Sequence, residues 1–205
     1  MRHNIHIEGF AYTLRPVGIE DAEFIVEIRS PERSRFMHQI DRTIEAQREW
    51  LEKYFLRPNE YYFVVERKKD GRREGLACLL NVDVENHSAE SGRMILRPDS
   101  LAPAETALCL LRFAFDTFAI HEVWGIALQE NKRVLAFNQR LGFERREIVP
   151  VRINGKTHRG IRCVLTRDRW IAFEKEVTEI ARTIADKFAS DRRGGQRNTQ
   201  DQHSE

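Results

Sequence analysis

The 205 residues are 41% hydrophobic and 32% charged, with 34 basic against 32 acidic side chains and a formal charge of +2. That is the composition of one ordinary globular domain with a full core. The near-cancelled charge argues against nucleic acid or an anionic membrane as the main partner. Three dispersed cysteines without a CxxC spacing argue against a disulfide framework or a zinc site, and no metal is expected. No apolar stretch is long enough for a signal peptide or a membrane span, so a cytoplasmic protein is expected.

In chain order, residues 6–17 predict a strand stopped by Pro16 and Gly18. Residues 19–29 carry helical spacing. Residues 43–55 predict a second helix, with Thr43 as N-cap and Trp50, Leu51, Tyr54 and Phe55 on its buried side. The aromatic and β-branched run 61–66 is a strand, Asp70-Gly71 turns the chain, and 75–84 returns. A turn at Asn86-His87-Ser88 leads into a strand over 89–96. The apolar stripe of 104–118, opened by Pro103, is the strongest helix. A short buried strand (122–128) and a helix (131–141) closed by Gly142 follow. Strands 143–153 and 158–165 flank an Asn154-Gly155 hairpin turn, and a last helix runs from 167 to about 188. The fold class is therefore α+β, one domain over residues 5–188. A mixed, mostly antiparallel sheet of about seven strands is flanked by helices, with an extra C-terminal helix and a disordered polar tail over 189–205.

Residues 89–143 resemble the coenzyme A-binding half of the GNAT acetyltransferases. The resemblance rests on Ala89-Glu90-Ser91-Gly92-Arg93-Met94-Ile95-Leu96-Arg97-Pro98 and the helix from Ala104. It rests equally on Asn131-Lys132-Arg133-Val134 with Leu141-Gly142-Phe143, which looks like the family's N-x-x-(A/S/V) and L-G-F signature. Residues 43–51 and 61–65 are similar to a narrower branch, found among bacterial surface-polysaccharide genes, that N-acetylates nucleotide-linked amino sugars.

The resemblance implies an acyl-CoA-dependent N-acyltransferase, with acetyl-CoA as cosubstrate and a small-molecule amine as acceptor. A nucleotide-linked amino sugar leads as acceptor. A protein N-terminus or lysine, a polyamine, or a non-catalytic binding module are the alternatives, and either a monomer or a homodimer is compatible. For the base it implies Glu90, with His87 or a water chain as alternatives. For the cofactor it implies the strand at Met94, Ile95, Leu96 and Arg97, and the loop and helix start at Leu101, Ala102 and Ala104. Asn131, Arg133 and Asn138 complete the set. In that loop the family's glycines are replaced by Ser100-Leu101-Ala102-Pro103-Ala104, and Asn138 stands where many members carry a tyrosine acid. The loop crowded with Arg29, Arg33, Arg35, His38 and Gln39 reads either as a pocket for an anionic acceptor or as a solvated basic loop.

Overall fold

The computed structural model describes residues 3–200, with side chains through Ala189. Of the tail expected over 189–205, the last helix carries the backbone through Gln200, and residues 201–205 lie outside the described residues. Eight strands form one sheet: β1 (Ile7–Glu8), β2 (Tyr12–Pro16), β3 (Tyr61–Arg67), β4 (Arg73–Asp83), β5 (Ser88–Leu96), β6 (Glu122–Leu128), β7 (Glu144–Ile153) and β8 (Lys156–Thr166). Their order is β1-β2-β3-β4-β5-β6-β8-β7. Every neighbouring pair is antiparallel except β5–β6, which is parallel. The helices are α1 (Ala22–Ile28), α2 (Ile44–Tyr54), α3 (Pro103–Arg112), α4 (Lys132–Arg140) and α5 (Arg167–Gln200). None of the described helices is long and apolar enough to cross a membrane.

Local chemistry accounts for the element ends. The Thr43 hydroxyl accepts from the Ala46 N–H, and the Asn131 side chain accepts from Val134 N–H, so each caps its helix. Asn154 and Gly155 both take positive φ, 51° and 80°, as a tight β7–β8 hairpin turn requires. The expected strand 6–17 is broken into two. Gly9 N–H bonds back to the Tyr12 carbonyl, and the corner this makes wraps the Glu105 carboxylate. A side chain at Gly9 would collide with that carboxylate at 2.2 Å. The expected helix 104–118 is α-helical to Arg112 and then widens into a π-helical turn over Phe113–Thr117.

The sheet is buried on both faces. Along β3, Tyr62 and Val64 enter one core with α1 and α2, while Phe63 and Val65 enter the other with α3 and α5. That double burial is why this strand reads as continuously apolar rather than alternating.

One buried charge cluster ties the first helix to the sheet. Asp21 is fully buried. It accepts a bidentate pair from Arg15 at 2.7 Å and the Gly18 N–H at 2.9 Å, with Arg73 at 3.5 Å. Burial pushes the Asp21 carboxyl up, but these donors outweigh it and hold the group below its ordinary value. Asp21→Ala should therefore cost about 3–5 kcal/mol, because Arg15 is left with Glu66 as its one carboxylate. A depressed carboxyl contributes stability above its unfolded pKa and loses it as pH falls. Urea melts should show the wild type weakening below about pH 4 and the variant lacking that share of the slope.

Candidate active site

The parallel β5–β6 ladder is short. Ser88, Ala89 and Glu90 pair with Glu122, Val123 and Trp124, and beyond Glu90 the strands part. Gly125 stands at the parting point, where a Cβ would press on the Ser91 carbonyl at 2.8 Å. The gap opens into a cleft of about 750 Å³ bounded by β5, β6, α4, the α1–α2 loop and the β7–β8 hairpin.

Two β-bulges aim side chains into this cleft. On β4, Asn81 and Val82 together oppose the single Ala89 of β5, and Asn81 takes φ +48°. On β5, the extra residue falls between Gly92 and Ile95, where Arg93 takes φ +50°. Non-glycine residues rarely adopt this region, and bulges commonly re-aim side chains beside active sites. Asn81 donates its amide N–H to Glu90 Oε2 at 2.8 Å. Arg93 reaches across to Glu60 at 2.8 Å, and its guanidinium lies over the Trp50 ring, 5.6 Å from the centroid.

Glu90 is half-buried on the cleft wall. Desolvation pushes its carboxyl above the ordinary value, opposed by the Asn81 hydrogen bond and the Arg93 charge. At the far end, Arg29, Phe36, Met37, Trp50 and Tyr62 line the cleft. Its apolar walls near β6 and α4 include Met94, Ile126 and Val134.

Residues 12–144 match the family described as Acetyltransferase (GNAT) domain, which is well over half of the chain. The chain belongs to the GNAT acetyltransferase family. No curated protein sequence matches it. Among solved structures, it is similar to the apo form of FdhC, described as a nucleotide-linked sugar GNAT, at 21% identity and TM-score 0.74. That match covers 87% of this chain and 99% of the other. A GCN5-related N-acetyltransferase from Brucella melitensis matches at 20% identity and TM-score 0.75, over 86% and 85%. A variant of the spermidine N-acetyltransferase SpeG from Vibrio cholerae matches at 19% and 0.67, over 78% and 96%. At these identities the likeness concerns the GNAT fold.

Within this GNAT chain, the residues expected from sequence divide. Glu90, Met94, Asn131 and Asn138 line the cleft. His87 does not. It turns at φ +50°, stacks on His121 at 4.2 Å and lies near the Ala119 carbonyl, outside the cleft lining. The Ile95 side chain packs into the α1–α2 core. The Leu96 carbonyl accepts from Arg33. The Arg97 guanidinium bonds Glu27 and the Arg73 carbonyl and covers Phe24, so its charge is spent on the α1 side. Arg133 is exposed and does not line the cleft.

At the start of α3, Leu101 is exposed, Ala102 is buried with its N–H held by Ser100 Oγ, and Ala104 stands in the first turn behind Pro103. Of the basic loop, Arg29, His38 and Gln39 reach the cleft, whereas Arg35 covers Phe36. Asn81, Glu60, Gly125 and Arg93 belong to the cleft without a sequence motif that assigns them a role there. An Asn inside the apolar run Leu79-Leu80-Asn81-Val82 was the one available sign of a bulge.

Proposed function

We propose that the chain is an acetyl-CoA-dependent N-acetyltransferase for the primary amine of a small acceptor, with a nucleotide-linked amino sugar as lead substrate. The observation that carries this reading is Glu90: a half-buried carboxylate, oriented by Asn81, on the cleft wall where β5 and β6 part. When bound, acetyl-CoA supplies the acetyl group as a reactive thioester.

The residues present fit that cosubstrate. From Ser91 onward β5 has no ladder partner on β6, so its edge can take amide hydrogen bonds. Met94, Ile126 and Val134 offer apolar contact. In the first turn of α3 the N–H groups of Ala104 and Glu105 have no intrahelical acceptor, and such a terminus favours phosphate. The Glu105 carboxylate, which would compete for that role, is instead turned to the N–H groups of Ala11 and Tyr12.

Glu90 removes the proton that the acceptor amine must lose before it becomes a nucleophile. Asn138 lines the cleft and can donate a hydrogen bond but no proton near neutral pH, so the chain supplies no acid at that position.

Two arginines and several aromatic residues at the acceptor end favour a nucleotide-linked sugar over a polyamine. Of the acidic groups that line the cleft besides Glu90, Glu60 is already paired with Arg93 and Arg57, and Asp41 accepts from the Thr43 N–H and hydroxyl. Thiol release from acetyl-CoA with a nucleotide-linked amino sugar, beside spermidine, tests the reading. Turnover with the sugar supports it, and failure to bind acetyl-CoA in calorimetry overturns it. Asn81→Ala should lower kcat about tenfold and move the acidic limb of the pH–rate profile upward, since the bond that favours ionised Glu90 is lost. A profile unmoved in pH would show that Asn81 does not act on the base.

A further inference from the structure

Arg29 ends α1 and projects into the acceptor end of the cleft. Among the described residues its guanidinium makes one hydrogen bond, from Nη2 to the His38 carbonyl at 2.5 Å, and its Nε is buried without a partner. No described carboxylate lies within ion-pair distance of it. Its charged neighbour is Arg93, which repels it. A guanidinium in this position is expensive, because a desolvated charge without a counter-ion destabilises the fold. Two other partly buried arginines are compensated by carboxylates: Arg15 has Asp21 and Glu66, and Arg93 has Glu60. Arg33, partly buried on the same loop as Arg29, bonds only the Leu96 carbonyl among the described residues. The cleft, which Trp50, Phe36, Tyr62 and Glu90 also line, therefore carries a positive charge with no described carboxylate within ion-pair distance.

We infer that Arg29 is an anion-binding residue of the acceptor site: it takes a phosphate or carboxylate group that the acceptor carries in addition to its amine, with Arg93 beside it as the second cation. The inference rests on the acetyltransferase reading for the identity of the amine but not for the anion. A guanidinium fork matches either oxyanion through paired N–H donors. The arrangement assigns the two ends of the substrate. Its amine goes to the Glu90 end and its anionic group to the Arg29 end. It also selects against polyamines, which would bring a second positive charge to two arginines.

The test uses the full chain saturated with coenzyme A, so that the cosubstrate's own phosphate site is filled. UDP, glutamate, uridine and spermidine are titrated by calorimetry, against wild type and Arg29→Met. Binding of UDP or glutamate by the wild type, weakened at least tenfold in R29M, supports the inference, and the tighter of the two identifies the oxyanion. Uridine and spermidine should bind weakly to both forms. A ligand-free R29M protein that melts at or above the wild-type temperature further supports a binding role, because an uncompensated charge has been removed. Three results would overturn it: equal anion affinity in both forms, tightest binding by spermidine, or a clear fall in the ligand-free melting temperature of R29M. Loss of acetyl-CoA binding in the wild type, with anion binding intact, would sink the transferase reading alone.

Discussion

In the Glu90→Gln variant, kcat/KM for acetyl transfer falls by about 10²–10⁴-fold while the Kd for acetyl-CoA stays within about twofold of wild type. Gln keeps the shape of Glu90 and its hydrogen bond to Asn81 and removes only the ability to take a proton. The pH dependence gives a second measurement. A base works when ionised, so wild-type activity drops as pH falls through the Glu90 pKa. Burial raises that pKa, which places the limb above the range of an ordinary carboxylate. The Gln variant should show no such limb. A variant within about threefold of wild type across the pH range would hand the proton to a water chain instead.

The second large effect concerns stability. Glu105→Ala should lower the melting temperature by about 10 °C, because the N–H groups of Ala11 and Tyr12 both lose their acceptor in a buried corner. Glu105→Gln retains an acceptor oxygen and should stay within about 1 kcal/mol of wild type near neutral pH. The two variants also differ in pH dependence. Burial holds the Glu105 carboxyl above its ordinary value, despite the backbone N–H groups that bond it. The folded chain therefore keeps this proton longer than the unfolded chain does. Wild-type stability falls as pH rises from the ordinary carboxylate value through the raised one, and Gln removes that slope. Equal melting temperatures for wild type and the Ala variant would mean that water reaches the corner and replaces the carboxylate.

Much of the fold was legible because its signals are local. Thr43 and Asn131 announce helix starts, Asp70-Gly71 and Asn154-Gly155 announce turns, and the 104–112 stripe announces α3. Glu90 and Asn138, which stand at fixed offsets within a recognisable motif, both line the cleft. What the sequence concealed depends on register and on side-chain direction. A bulge exists only relative to a partner strand, so neither Asn81 nor Arg93 could be aimed at the cleft from sequence spacing. His87 sits near Glu90 in sequence, but its left-handed backbone sends the ring to His121. Arg97 follows the cofactor strand, but Glu27 on α1 captures it from a distant part of the chain. The split of the first strand was hidden for a similar reason, since the carboxylate that fills the corner comes from Glu105, far along the chain.

The three tryptophans occupy three different settings. Trp170 is packed in the core against Phe115, and Trp124 lies under Arg162 on β6, while Trp50 faces the cleft with Arg57 and Arg93 each 5.6 Å from its ring. Indole emission responds to the charges around the ring. An acceptor that draws Arg93 toward itself would therefore change the fluorescence of Trp50 and leave Trp170 as an internal reference. The site carries its own optical reporter of occupancy, readable without a label and subtractable with Trp50→Phe.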